Sequence, residues 1–176
     1  MLGAPVKGWA LVLVGAGLVL LAGSTDAAVG LGFGGRRPDD VFAAVAAVDP
    51  QHNPIYQPGY GGGVSWCNKF VADVLLWLGI TFPGPPMLAD DQIAYLNAGN
   101  DGWTPISDMG SAQAAALAGQ IVLATYFNPS GSGHMALVLP IDGPLVYTAQ
   151  AGKSNWNQGL LLAGFGTLPV RFFAHS

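Results

Sequence analysis

The chain predicts an α+β domain in which N-terminal helices, one of them bearing the sole cysteine, pack on a small antiparallel sheet. Three observations predict it. Apolar residues recur at helical spacing through the first half. Short β-favouring runs broken by glycine follow in the second. Hydrophobic residues make up 51% of the chain against 9% charged, enough for a real core. Residues 39–176 suit a single domain.

Residues 1–28 read as a leader. Lys7 precedes an apolar run from Trp9 to Gly23, and Ser24-Thr25-Asp26-Ala27-Ala28 supplies small residues, with Ala22-Gly23-Ser24 or Thr25-Asp26-Ala27 as cleavage sites. This is the layout of a signal peptide. The alternative is an uncleaved membrane anchor, although Asp26 interrupts the roughly 20 apolar residues that a span needs. The domain is therefore expected to be secreted or extracytoplasmic, in the periplasm or cell wall, with the membrane a partner only if the leader stays on. Residues 29–38 form a glycine-rich linker carrying Arg36-Arg37.

Asp39-Asp40 open a helix expected over about 39–48, since acidic residues favour a helix N-terminus and Val41, Phe42, Val45 and Val48 recur at helical spacing. Asp49-Pro50 ends it. A loop rich in proline, glycine and tyrosine, Gln51–Gly63, then leads into Cys67. Phe70, Val71, Val74, Leu75 and Leu78 make the apolar stripe of a second helix, with Ser65 as N-cap and Gly79 just past its end. Cys67 falls in the first turn, where unpaired amides and the helix dipole stabilise a thiolate. A lone cysteine in an exported chain is not half of an internal disulfide, so it is either such a reactive group or a buried apolar filler.

Thr81–Pro86 is a proline-rich turn. Helices follow near Leu88–Leu96 and Ser111–Leu117, the latter stopped by Gly119, and a strand at Ile121–Tyr126. Met135–Leu139 and Leu145–Ala149 read as a hairpin around a three-residue loop, Ile141-Asp142-Gly143. Centred on Asp142, the pairing sets Val138 against Val146, Ala136 against Thr148 and His134 against Gln150, close enough for the amide to orient the imidazole. Both faces are apolar, which makes the hairpin central in its sheet.

Composition removes other classes. A net charge of −4 with six basic residues offers no stripe for nucleic acid. All ten carboxylates are aspartates, and none pairs by spacing into a glycosidase dyad. His52, His134 and His175 lie far apart, and no CxxC, HxxxH or HExxH occurs, so neither metal nor cofactor is expected. No Gly-x-Ser-x-Gly elbow supports a serine hydrolase. What remains is Cys67, His134 and Gln150: a nucleophile, a base and a polar residue to hold the base. His52 is the weaker rival base, Asp73 a solvated or helix-tying residue, and His175 too close to a fraying terminus to act. Asn155 and Trp156, with Tyr126, Phe127 and Trp103, either line a groove or cap the core.

Trp66-Cys67-Asn68-Lys69-Phe70-Val71 after a Tyr/Gly-rich loop, Gly133-His134-Met135-Ala136-Leu137-Val138, and a strand ending in Ala149-Gln150-Ala151-Gly152 resemble the papain-like cell-wall hydrolases. The likeness covers roughly Tyr56–Phe173, and two groups fit: NlpC-like peptidases and CHAP amidases and peptidases. The chain departs from both. NlpC-like peptidases usually have Asp-Cys-Ser where this chain has Trp66-Cys67-Asn68, and CHAP domains often have Glu or Asn where Gln150 stands. The resemblance implies a papain-like fold and a monomeric hydrolase of an amide or peptide bond in peptidoglycan, with a stem peptide or muropeptide as partner. It makes Cys67 the nucleophile, His134 the base and Gln150 the third residue, with Tyr60, Trp66 and Trp156 against substrate. Acyl transfer through the same thioester, and a non-catalytic wall- or protein-binding module on the same fold, are the alternatives.

Overall fold

The computed structural model describes residues 37–57 and 66–176. The expected leader, most of the linker, Tyr60, the glycines 61–63 and Ser65 lie outside the described residues; the N-cap of the cysteine helix is Trp66, without a side-chain capping bond, and not Ser65 as expected. Among the described residues no helix is long and apolar enough to cross a membrane.

Helix α1 spans Pro38–Val48, so Pro38, assigned to the linker, is its first residue. Proline suits that position because its missing N–H has no partner there anyway. The Asp40 carboxylate accepts the Arg37 N–H at 2.8 Å, and the helix buries Val41, Ala44 and Val45. Helix α2, Cys67–Trp77, buries Phe70, Val71, Val74 and Leu75 almost completely. It stops where predicted: Gly79 takes φ +75°, its N–H reaches the Leu76 carbonyl, and Ile80 N–H reaches the Leu75 carbonyl at 2.8 Å. This pair of bonds satisfies carbonyls that the helix end would otherwise orphan. The expected loop between α1 and α2 contains a short 3₁₀ turn, Pro54–Tyr56, and Tyr56 enters the core, its hydroxyl donating to Asp73. Asp73 also meets Lys69 at 2.7 Å, so it ties the helix to the loop.

Helix α3, Ala89–Asn97, and helix α4, Met109–Leu117, begin and end within two residues of expectation. Gly119 follows α4 at φ +88°. The strands are β1 (Thr104–Ile106), β2 (Ile121–Tyr126), β3 (His134–Val138), β4 (Tyr147–Gln150), β5 (Trp156–Leu160) and β6 (Arg171–His175), with a short α5 (Leu161–Phe165) before the last. They form one antiparallel sheet in the order β1-β6-β2-β3-β4-β5, larger than the small sheet expected. Strand alternation divides the core. Ile121, Leu123, Met135, Leu137 and Phe173 pack with α1, α2 and α3, while Val122, Ala124, Ala136, Val138 and Phe172 pack with α4 and α5. Helices thus cover both faces.

The hairpin is central, as expected, but its register is not the expected one. Leu137 opposes Ala149 and Val138 opposes Thr148, a shift of two residues, and the connection runs from Leu139 to Val146 rather than through three residues. Leu145 is exposed in that connection, and Gln113 of α4 donates to the carbonyls of Ile141, Gly143 and Leu145, holding the longer loop in place. Because side chains alternate with a period of two, an even shift leaves each residue that stays in a strand on its predicted face.

His175, expected to fray, is the last residue of β6. It pairs with Ile121, and its ring lies 5.2 Å from that of Trp103. Trp103 is 1% exposed and belongs to the core, not to a groove.

Candidate active site

Cys67 is the first residue of α2. Its backbone N–H therefore belongs to the first turn of the helix, and its side chain sits at the positive end of the dipole. The residue is buried, at 2% exposure.

His134 opens β3, opposite Tyr126. The chain reaches it through a loop that Asp90 of α3 holds from beneath, accepting the Asn128 N–H and the Gly133 N–H at 3.1 Å each. Gly133 is required there, since a Cβ would lie 2.7 Å from the Tyr126 carbonyl and collide with the Asp90 carboxylate. Asp90 carries no signal of this role in the sequence, because the two amides it binds are 38 and 43 residues away.

Gln150 ends β4, with 3% exposure. Its Nε2 donates to the Ser154 carbonyl at 3.0 Å, which fixes the amide and leaves Oε1 facing the imidazole. His134 Nε2 lies 3.0 Å from that oxygen. A carbonyl oxygen only accepts, so Nε2 carries the proton and Nδ1 is the ring nitrogen left to act as base. Diagonal rather than direct cross-strand neighbours therefore make the contact, and the predicted pair meets despite the shifted register. The other side of Gln150 is closed by the backbone of α5. A Cβ on Gly164 would stand 3.1 Å from Gln150 Cδ and nearer still to Oε1. Phe165 of the same helix lies against the imidazole, ring centres 4.8 Å apart.

His134 also hydrogen-bonds the Cys67 side chain. Burial pulls its pKa down, since desolvation disfavours the cation. The bond to Cys67, the charge of the thiolate and the bond to Gln150 together outweigh burial and hold His134 above its ordinary value. Cys67 belongs to the core under α2 and Phe165 to the core under α5, so the imidazole stands at the end of the sheet where the two cores meet. Cys67, His134 and Gln150 are thus brought together from one helix and two strands.

The remaining sequence-derived residues divide. His52 bonds Asp49 at 3.0 Å and is exposed, so the thiol's partner is His134 and not this rival. Trp66 precedes Cys67 and packs partly against the core. Trp156 lies directly opposite Gln150, at a register shift in the β4–β5 pairing. Its ring folds over Gly159, with Nε1 3.5 Å from Thr148 Oγ1. Asn155 is a structural tie, accepting the Gly152 N–H at 2.7 Å and donating to the Tyr56 carbonyl at 2.6 Å. No group of three or more metal-ligating side chains occurs among the described residues.

Compared with protein-family models the chain matches none, and no curated protein matches it.

Proposed function

We propose that this protein is a papain-like cysteine hydrolase that cleaves an amide or peptide bond in peptidoglycan outside the cytoplasm. The observation that carries the reading is the imidazole of His134 held between the Cys67 thiol and the Gln150 amide oxygen. In this reading Nδ1 takes the thiol proton and the thiolate attacks the carbonyl carbon. The resulting oxyanion is met by the Cys67 backbone N–H, and a donor of this kind is worth roughly 3–4 kcal/mol. As the tetrahedral species collapses, the C–N bond breaks and His134 gives its proton to the departing amine. Water, deprotonated by His134, then splits the thioester and restores the thiol. Gln150 keeps the ring in one orientation through both stages without adding a negative charge. The peptidoglycan substrate rests on the resemblance of the three sequence elements.

Digestion of purified peptidoglycan with mass spectrometry of the new termini tests this. The wild-type protein is expected to release fragments with one defined new terminus, and Cys67→Ala none. Equal release by both would refute the role of the sulfur.

The burial of Cys67 favours a second reading, a binding module on the same fold. Thiol alkylation separates the two: a catalytic Cys67 reacts rapidly in the native state near neutral pH, a core thiol only after unfolding.

A further inference from the structure

A cleft of about 490 Å³ is lined by Ala94, Asn97, Phe127, Pro169 and Arg171, at the same end of the sheet as His134. Thr125 pairs with Arg171 on one side of β2 while Tyr126 pairs with His134 on the other. The two residues are therefore two strand spacings apart, roughly 10 Å. Alternation along β6 sends Phe172 and Ala174 to the α4/α5 core and Phe173 to the other. Arg171 consequently projects on the face that α2 and α3 cover, the face of Cys67.

Arg171 meets one polar side chain through its guanidinium and, among the described residues, no carboxylate. Its backbone carbonyl accepts from Thr125 Oγ1 at 3.2 Å, and its Nη1 lies 3.5 Å from Asn97 Oδ1. The Asn97 amide is oriented by its own bond from Nδ2 to the Ile93 carbonyl at 2.9 Å. Among the described residues no carboxylate pairs with Arg171, whereas Lys69 is matched by Asp73. Phe127 stands beside it, 50% exposed. In a chain of net charge −4, a planar cationic donor with no carboxylate partner among the described residues, next to an exposed aromatic ring, is suited to a carboxylate on a partly apolar ligand.

We propose that this cleft is a subsite for a free carboxylate of the peptide substrate, held by Arg171 and flanked by Phe127. Arg171 leaves the sheet on the face of Cys67, so a peptide whose scissile bond meets the sulfur would reach the cleft along that face. This deepens the hydrolase reading and rests on it for the location of that bond.

The test is calorimetric binding to the Cys67→Ala protein, with a synthetic stem tetrapeptide ending in a carboxylate and the same peptide ending in a carboxamide. The acid is expected to bind about 10-fold more tightly, consistent with one charge-assisted contact at an exposed site. Arg171→Gln is expected to erase the preference, Arg171→Lys to retain part of it, and added salt to reduce it. Equal affinity of the two peptides for the Cys67→Ala protein, or a preference that survives Arg171→Gln, overturns the subsite. No turnover is needed, so failure of the hydrolase reading shows separately, as absence of cleavage by the wild-type protein.

Discussion

Gly164→Ala isolates what holds the imidazole. Gly164 lies in α5 with an ordinary helical backbone, so alanine there would normally gain up to about 1 kcal/mol in helix propensity. Here the new Cβ would stand 3.1 Å from Gln150 Cδ, 3.4 Å from Nε2 and inside the contact distance of Oε1. The amide has little room to yield, being 3% exposed and bonded at one end to Ser154 and at the other to His134. The contact that gives way is the one to the ring. A hydrogen bond to a charged group is worth about 1.5–3 kcal/mol, which corresponds to a loss of about 10- to 160-fold in rate. Because propensity and crowding oppose each other, the melting temperature is expected to move by only a few degrees. The assay is release of soluble fragments from peptidoglycan, together with the pH profile of Cys67 alkylation, which reports the thiol–imidazole pair directly. A variant with wild-type rate and an unchanged alkylation profile would show that Gln150 does not position His134.

Two further predictions concern the same ring. In the wild-type protein His134 should titrate above its ordinary value by NMR, and in Cys67→Ala its pKa should fall, because burial is then opposed only by Gln150. The sign for stability follows: folding raises this pKa, so the contribution is complete below about 6.5, the unfolded value, and is lost as pH rises through the folded one. Denaturation midpoints of wild type and His134→Ala should therefore converge toward alkaline pH. Asp90→Ala removes the acceptor of two backbone amides, and a loss of about 1–3 kcal/mol is expected. Hydrogen exchange at Asn128 and Gly133 should accelerate more than exchange within β2, whereas uniform acceleration would mean that Asp90 acts on the whole fold.

Much of this architecture was legible because its signals are local. Acidic residues mark the start of α1 to within one residue, Gly79 and Gly119 close their helices, and an apolar stripe with period 3.6 marks α2. Residues without such signals were missed. Strand β6 carries a mixed run, Arg-Phe-Phe-Ala-His, beside the C-terminus, yet both its neighbours pair with it. The short strands β1 and β5 and the single turn of α5 have too few residues for a period to show.

The hairpin shows where pattern and packing divide. Alternation assigned faces correctly, since it depends only on parity along each strand, but not register, which goes with an eight-residue loop that Gln113 of α4 holds by three carbonyls. The same division runs through the site. The sequence by itself nominated Cys67 at a helix start, His134 after a glycine-rich turn and Gln150 at a strand end, because each choice follows from neighbours within a few positions. Only the tertiary structure decided that the three meet, which ring nitrogen keeps its proton, and that Asp90 and Gly164 hold the arrangement from either side. Those facts depend on distances between residues far apart along the chain, which spacing does not encode.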